Sequence, residues 1–144
     1  MRDRAIAELI KDRGFVGVGT GITVADCAQR MKAANAGAVL VVEKDRLLGI
    51  LTERDILVRV VAAHQDPNTT LVADVMTPDP QTISPDKPFD HALHIMYERG
   101  FRHLPVIADG RPVGMVCASD ALGPELEGFK SELTMREKIA EALG

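Results

Sequence analysis

The chain repeats itself after 65 residues, and this internal repeat constrains its fold more than any other feature of the sequence. The alignment places VLVVEKDRLLGILTERDIL (39–57) on LPVIADGRPVGMVCASDAL (104–122), and it runs without a gap back to Val18, which aligns with Ile83. Identical residues are few, but the apolar positions of the two halves agree closely. The identical pairs are Met31/Met96, Val41/Val106, Arg46/Arg111, Gly49/Gly114, Asp55/Asp120 and Leu57/Leu122. We therefore expect both halves to adopt the same fold.

Each repeat predicts the same series of elements: a helix, two strands joined by a tight turn, and a second helix. The helices show apolar residues at i, i+3/i+4 and i+7, the strands are rich in Val, Ile and Leu, and Asp109-Gly110 is a strong hairpin signal. The predicted ranges are helices 23–35 and 88–99, first strands 39–43 and 104–108, second strands 47–51 and 112–116, and helices beginning near Asp55 and Asp120. One repeat alone is too small for a comfortable core, so we expect the two to pack around a pseudo-twofold axis.

The segments outside the repeats complete the expected organisation. A proline-rich stretch between the repeats is typical of a loop, and apolar stripes predict a helix at each end of the chain, the C-terminal one carrying Leu126, Phe129 and Leu133. The predicted division is an N-terminal helix at 1–13, repeat 1 at 14–66, a linker at 67–79, repeat 2 at 80–123 and a C-terminal helix at 124–144. The fold class is α+β.

Composition narrows the classes of function. The chain has 144 residues, no apolar run near the roughly 20 that a membrane helix needs, and a charged N-terminus unlike a secretory signal, so we expect a cytoplasmic protein. A net charge of −4 and an aromatic content of 3% disfavour nucleic acid as a partner. Two cysteines do not form a disulfide framework.

The second strand of repeat 1 ends in the motif Thr52-x-x-Asp55, which has two interpretations. It is a variant of the capping box, in which Thr52 caps a helix and Asp55 lies in its first turn. The same geometry suits a ligand, because a hydroxyl and the guanidinium of Arg54 can bind phosphate and a carboxylate can accept bonds from ribose hydroxyls. The two interpretations are compatible, since one residue can cap a helix and contact a ligand.

An ordered set of motifs makes the chain similar to a known family. Over residues 15–123 it resembles a tandem pair of CBS domains, the module named for cystathionine β-synthase. The motifs are the Gly-x-x-(Thr/Cys)-x-x-Asp stretches at 49–55 and 114–120, the Val- and Ile-rich first strands, Phe101-Arg102-His103-Leu104-Pro105-Val106 and Asp74-Val75-Met76-Thr77. The resemblance implies two βαββα units packed as a pseudo-symmetric pair that commonly dimerises. It also implies a regulatory sensor that binds AMP, ATP, NAD or S-adenosylmethionine between the repeats.

The family pattern, carried over residue by residue, implies two ligand sites. Asp55 and Asp120 would hold ribose, Thr52 would hold phosphate or ribose, and Arg102 and His103 would face the phosphate. The principal site comprises Gly49, Ile50, Leu51, Thr52, Arg54, Asp55, Pro80, Gln81, Thr82, Ile83, Phe101, Arg102, His103 and Pro105. The second site comprises Val16, Gly17, Val18, Ala36, Gly37, Ala38, Met115, Cys117, Ser119 and Asp120.

The two sites are expected to differ in their affinity for phosphate. The positions equivalent to Arg102 and His103 are Gly37 and Ala38, and the position equivalent to Thr52 is Cys117, a weak hydrogen-bonding group. We therefore expect the phosphate of a nucleotide at the Asp55 site.

The expected function is a regulatory module, not an enzyme, that binds an adenine nucleotide, most simply AMP, forms a homodimer and signals through an effector protein. Two alternatives stay open: an interaction module with a vestigial nucleotide site, and an enzyme that uses Cys117 or His103, for which no catalytic partner is evident in the sequence. His91 and His94 lie three residues apart, but the aligned positions are polar and we expect no metal site.

Overall fold

The computed structural model describes residues 4–143, and its elements follow the predicted order in both repeats. The bounds are α1 Ile6–Ile10, β1 Gly17–Val18, α2 Val24–Ala34, β2 Ala38–Glu43, β3 Arg46–Thr52, α3 Glu53–Ile56, α4 Val72–Val75, β4 Thr77–Pro78, α5 Phe89–Arg99, β5 His103–Ala108, β6 Arg111–Cys117 and α6 Gly123–Leu143. Repeat 1 contains β1, α2, β2, β3 and α3, and repeat 2 contains α5, β5 and β6, with further helices before, between and after them. The mixed α+β class and the flanking helices agree with the prediction. Residues 1–3 and 144, which belong to the predicted terminal helices, lie outside the described residues.

Strand register confirms the internal repeat. Val18 pairs in parallel with Val41 in repeat 1, and Ile83 pairs in parallel with Val106 in repeat 2, so each partner lies at the equivalent aligned position. Both hairpins are antiparallel and both have a bulge directly after Val41 or Val106. In the first sheet the strand order is β1-β2-β3-β4, and β5 pairs with β6 in the second.

The second helix differs between the repeats. In repeat 1, α3 continues as a π-helical stretch, Leu57–Val61. In repeat 2, the helix predicted to begin near Asp120 is reduced to the 3₁₀ turn Ala118–Asp120, and the next helix begins at Gly123. Local residues favour this break, because Gly123 is followed by Pro124, whose ring suits the first turn of a new helix.

Three clusters of buried side chains form the core. The first belongs to repeat 1 and includes Val24, Val39, Val41 and Leu51. A second belongs to repeat 2 and includes Phe89, Leu104, Val106 and Val116. The third cluster contains Ala38, Leu40 and Ile50, with the partly buried Met115 of the other sheet packed against it, and so joins the two repeats.

A short helix precedes each repeat and packs against the core of the other repeat. Ile6 and Ile10 of α1 are buried in the core of repeat 2, and Val72 and Val75 of α4 are buried in the core of repeat 1. The backbone N–H of Ile6 donates to the carbonyl of Lys87 at 3.0 Å, which fixes α1 beside the start of α5. This exchange interlocks the two halves, because each core is completed by a segment that comes from the other side of the chain.

The C-terminal helix α6 packs through its first half only. Phe129 is 8% exposed and its ring makes edge contacts with His94 and Tyr97 of α5. Beyond Leu133, the large apolar side chains Met135, Ile139 and Leu143 are all exposed. Across residues 4–143, none of the helices has the combination of length and apolar character that crossing a bilayer requires.

Candidate functional site

A cleft of about 300 Å³ lies between the β3–α3 junction of repeat 1 and the α5–β5 turn of repeat 2. It collects most of the residues predicted for the principal site, and it receives them from both repeats. Those that line it are Ile50, Thr52, Arg54, Asp55, Pro80, Gln81, Phe101, Arg102 and His103. We call it the Asp55 cleft.

The remaining residues predicted for the principal site lie elsewhere. Leu51, Ile83 and Pro105 are buried side chains of the cores and strands. Gly49 packs against the segment at Met76, and Thr82 lines a separate open groove formed with the hairpin turns. Strand alternation explains the positions of Gly49 and Leu51, because neighbouring residues of β3 point to opposite faces of the sheet and Ile50 and Thr52 point to the cleft.

Three residues of the Asp55 cleft were not predicted: Glu53, Thr77 and Gly100. Glu53 lies inside the Thr52-x-x-Asp55 motif and Thr77 lies inside the Asp-Val-Met-Thr motif, so both had a sequence signal. Gly100 ends α5 with a left-handed φ of 77°, and its position is the one aligned with Asn35, which ends α2 with a φ of 51°.

Both interpretations of Thr52 and Asp55 are compatible with the geometry. The capping box is present: Thr52 Oγ1 accepts from the Asp55 N–H at 3.1 Å, and Asp55 Oδ2 accepts from the Thr52 N–H at 3.0 Å. The other carboxylate oxygen, Asp55 Oδ1, lies 3.9 Å from Arg59 Nε, which is too far for a hydrogen bond. Asp55 can therefore cap the helix with one oxygen and accept from a ligand with the other.

Positive charge reaches the Asp55 cleft from both repeats. Arg54 from α3 and Arg102 from the turn before β5 line it, and both side chains are exposed. Guanidinium groups in this position can donate paired hydrogen bonds to a phosphate. Phe101, Ile50 and Pro80 supply apolar surface to the same cleft. The cleft thus combines a carboxylate, cationic donors and an apolar wall.

A second, more open cleft of about 660 Å³ lies on the other side of His103. Of the residues predicted for the second site, it is lined by Ala36, Gly37, Cys117 and Ser119. Those that do not line it are Val16, Gly17, Val18, Ala38, Met115 and Asp120. Arg102, His103 and Glu53 line both clefts, so Arg102 and His103, which were expected at the Asp55 site, lie on a wall shared by the two.

Asp120, the predicted ribose ligand of the second site, is already engaged within the chain. Arg13 donates to both of its oxygens, at 2.8 Å to Oδ1 and 2.6 Å to Oδ2, and the Cys117 N–H donates to Oδ2 at 2.7 Å. Burial raises the pKa of Asp120, but the bonds from Arg13 and Cys117 outweigh burial and the pKa is lowered. A ribose could bind Asp120 through both oxygens only by displacing Arg13.

Cys117 has partners that the sequence did not reveal. The strand register pairs it with His103 across β5 and β6, and Ser119 Oγ donates to its Sγ at 3.1 Å. The hydrogen bond from His103 lowers the pKa of Cys117 to about 7, with help from Ser119 and against the opposing effect of burial. The thiol in the second cleft is therefore readily ionised near neutral pH.

Comparison with known proteins gives a consistent result. The family model described as "CBS domain" matches residues 6–62 and 72–123. The Meiotically up-regulated gene 70 protein of Schizosaccharomyces pombe is 37% identical over 131 residues, which are 83% of this chain and 18% of that protein. The chain spans less than two thirds of the first curated relatives that it matches.

Solved structures share the fold. A CBS-domain containing protein from Agrobacterium tumefaciens is 32% identical, with a TM-score of 0.73 over 81% of this chain and 89% of that one. A CBS domain protein from Pyrobaculum aerophilum complexed with AMP has a TM-score of 0.79 at 22% identity, and the match covers 89% of this chain and 99% of that one.

Proposed function

The chain belongs to the CBS domain family and contains a tandem pair of these domains, and from this membership we propose that it is a non-catalytic sensor that binds an adenine nucleotide in the Asp55 cleft. The observation that carries the proposal is the convergence in one cleft of Asp55 and Thr52 from repeat 1 with Arg102 and His103 from repeat 2. These groups match the three parts of a nucleotide. Asp55 Oδ1 would accept from ribose, Arg54 and Arg102 would bind phosphate, and the apolar wall would contact adenine.

The size of the cleft favours a small nucleotide. Its volume of about 300 Å³ lies at the lower end of the range usual for ligand sites. AMP is therefore our first candidate, and ATP, NAD and S-adenosylmethionine are the others. The AMP complex of the Pyrobaculum protein supports this choice, because that protein has the same fold.

The proposed mechanism is a shift between arrangements of the two repeats. The Asp55 cleft takes its lining from both repeats, so a bound ligand would favour the arrangement in which both sets of contacts are made. The ligand would signal only if it distinguishes that arrangement from others. We propose that a cytoplasmic effector protein reads the difference.

A homodimer is part of this proposal. Leu57, Val58 and Val61, on the π-helical continuation of α3, are 59%, 51% and 62% exposed. Three large apolar side chains on one helical stretch favour burial against another surface, and a second copy of this chain would supply a self-complementary one. Light scattering at tens of micromolar, roughly the range in which a specific interface holds, should show a dimer. Leu57→Glu should dissociate it, while Val113→Glu on β6 should not, and a monomeric unmodified chain would contradict the dimer.

Ligand titration with matched variants tests the nucleotide site. Saturating AMP at ~100 times its dissociation constant should stabilise the protein by about 2.7 kcal/mol and raise its melting temperature by roughly 5–10 °C. Asp55→Ala should lower the affinity for both AMP and adenosine by about 10- to 100-fold, because hydrogen bonds to a charged group contribute ~1.5–3 kcal/mol. Arg102→Ala should abolish most of the rise in melting temperature caused by AMP and leave the smaller rise caused by adenosine.

Two further variants show which of the two clefts binds the nucleotide. Arg54 lines the Asp55 cleft and Ser119 lines the second one. Arg54→Ala should weaken the binding of AMP, and Ser119→Ala should change the affinity for AMP little. A larger loss of AMP affinity in Ser119→Ala than in Arg54→Ala would place the principal site in the second cleft. No response to any of the four ligands or to adenosine would favour an interaction module with a vestigial site.

A further inference from the structure

Three side chains with metal-ligating groups meet between α5 and α6, and none of them lines either nucleotide cleft. Asp90 and His94 lie one turn apart on α5, and Glu132 approaches them from α6. His94 Nε2 is 2.8 Å from Glu132 Oε2 and 3.4 Å from Asp90 Oδ2. One ligand atom from each residue lies within 4.8 Å of the other two.

The surroundings of His94 fix the position of its ring. Its side chain is 16% exposed, and the ring makes an edge contact with Phe129 at 4.9 Å between centroids. Its Nδ1 is buried and has no hydrogen-bond partner among residues 4–143.

The Nε2 atom faces two carboxylates but can carry a single proton. A proton on Nε2 can be shared well with Glu132 at 2.8 Å, while the Asp90 oxygen at 3.4 Å lies beyond the usual length of a strong bond. A divalent ion has no such restriction, because it can contact the imidazole nitrogen and both carboxylates at once.

Space for an ion is present beside the cluster. A cavity of about 190 Å³ lies between the same two helices, and Asp90 and Glu132 both line it. Gly128 also lines it, and its missing side chain helps to keep the space open. The cavity could hold the water molecules that complete the coordination of an ion with three protein ligands.

We propose that Asp90, His94 and Glu132 form a binding site for a divalent transition metal of the zinc type. One imidazole and two carboxylates suit zinc or manganese, whereas magnesium and calcium prefer ligand sets made of oxygen alone. The ion would fasten α6 to α5, since its ligands come from both helices. The site goes beyond the proposed nucleotide function and does not depend on it.

Calorimetric titration of the chelator-treated full chain with zinc chloride tests the site, and the adjacent His91 provides a control. His91 is exposed on the same helix and does not belong to the cluster. The unmodified chain should bind a single zinc ion, and His91→Ala should bind it equally well. His94→Ala and Glu132→Gln should each weaken binding by at least about tenfold, because loss even of a group that only orients a ligand costs this much. Glu132 is 53% exposed, so Glu132→Gln gives the answer if His94→Ala does not fold.

Titration with cobalt(II) identifies the ligands. Nitrogen and oxygen ligands give weak visible bands, whereas a thiolate adds an intense charge-transfer band in the near ultraviolet. We expect no thiolate band. The proposal is overturned by such a band, which would place the metal at a cysteine, by equal zinc affinity in all the variants, or by the absence of saturable binding below about 100 μM (a binding free energy of roughly −5.5 kcal/mol).

Discussion

At the scale of single residues, Asp55 and Asp120 show how equivalent positions acquire different chemistry. Both accept a hydrogen bond from the backbone N–H three residues earlier, which is the bond that the repeated motif predicts. Arg13 then donates hydrogen bonds to both oxygens of Asp120. Asp55 Oδ1, by contrast, lies 3.9 Å from Arg59 Nε and forms no hydrogen bond with it. The local motif sets the first bond, and residues distant in sequence decide whether the carboxylate is free for a ligand.

Cys117 gives a prediction at the same scale. Its pKa of about 7 means that about half of the thiol is ionised at neutral pH, whereas burial raises the pKa of Cys27. Because the thiolate is the reactive form, alkylation of Cys117 by iodoacetamide should rise steeply between about pH 6 and 8. Mass spectrometry of the labelled peptides measures this, with Cys27 as the internal control.

His103→Ala should move the midpoint for Cys117 toward the ordinary thiol value of 9.0, because the hydrogen bond from His103 is the largest cause of the lowered pKa. Removal of Ser119 should have a smaller effect in the same direction. A midpoint that His103→Ala leaves unchanged would mean that the imidazole does not stabilise the thiolate.

At the scale of elements, the sequence predicts helices and strands well and predicts their packing partners poorly. The hairpin strands and the helices α2 and α5 lie within one residue of their predicted ends, because apolar periodicity and turn residues act locally. The helix expected near Asp120 is wrong beyond its first turn, and the exchange of α1 and α4 was not foreseen. Apolar stripes show that a helix has a face to bury, but not which core buries it.

The exchanged helices explain why both repeats have a glycine at the same point of the second strand. A Cβ added to Gly49 would lie 2.9 Å from the backbone oxygen of Thr77, and one added to Gly114 would lie 2.9 Å from Cδ1 of Ile10. In each case the glycine makes room for the segment that packs across the strand. The glycine of the motif is therefore a packing residue.

We expect Gly49→Ala to lower the free energy of unfolding by about 1–3 kcal/mol, the usual cost of overpacking. Gly114→Ala should also destabilise the protein, because the added atom would lie 3.0 Å from Cβ of Ile10, which the backbone of α1 holds in place. Gly128→Ala is the control: it lies in α6 with nothing within 4 Å of the added atom, and alanine should stabilise a helix there by roughly 0.5–1 kcal/mol. Urea unfolding measures all three, and a Gly49→Ala protein as stable as the unmodified chain would contradict the packing role.

At the scale of the whole molecule, the pseudo-twofold arrangement is broken by the N-terminal segment. This segment crosses to repeat 2 and α6, where Arg13 pairs with Asp120 at 2.6 Å and Arg4 pairs with Glu125 at 2.6 Å. The position aligned with Arg13 at the 65-residue spacing is Pro78, which carries no charge and leaves Asp55 without an equivalent partner. Arg13 thus adds to the side-chain differences that already distinguish the two halves of the molecule.

If the proposed function is correct, Arg13→Ala should expose a second nucleoside site. Loss of the guanidinium would free Asp120 Oδ1, while Oδ2 would keep its hydrogen bond from the Cys117 N–H. The pKa of this carboxyl would rise toward 3.8, so it would stay ionised at pH 7. Calorimetry with adenosine should then show a second molecule bound per chain, absent in the double variant that also carries Asp120→Asn. Arg4→Ala is the control, because it loosens the same segment without freeing the Asp120 side chain. A folded Arg13→Ala protein that still binds a single adenosine at the Asp55 cleft would mean that Asp120 has a purely structural role, as the anchor of the crossing segment.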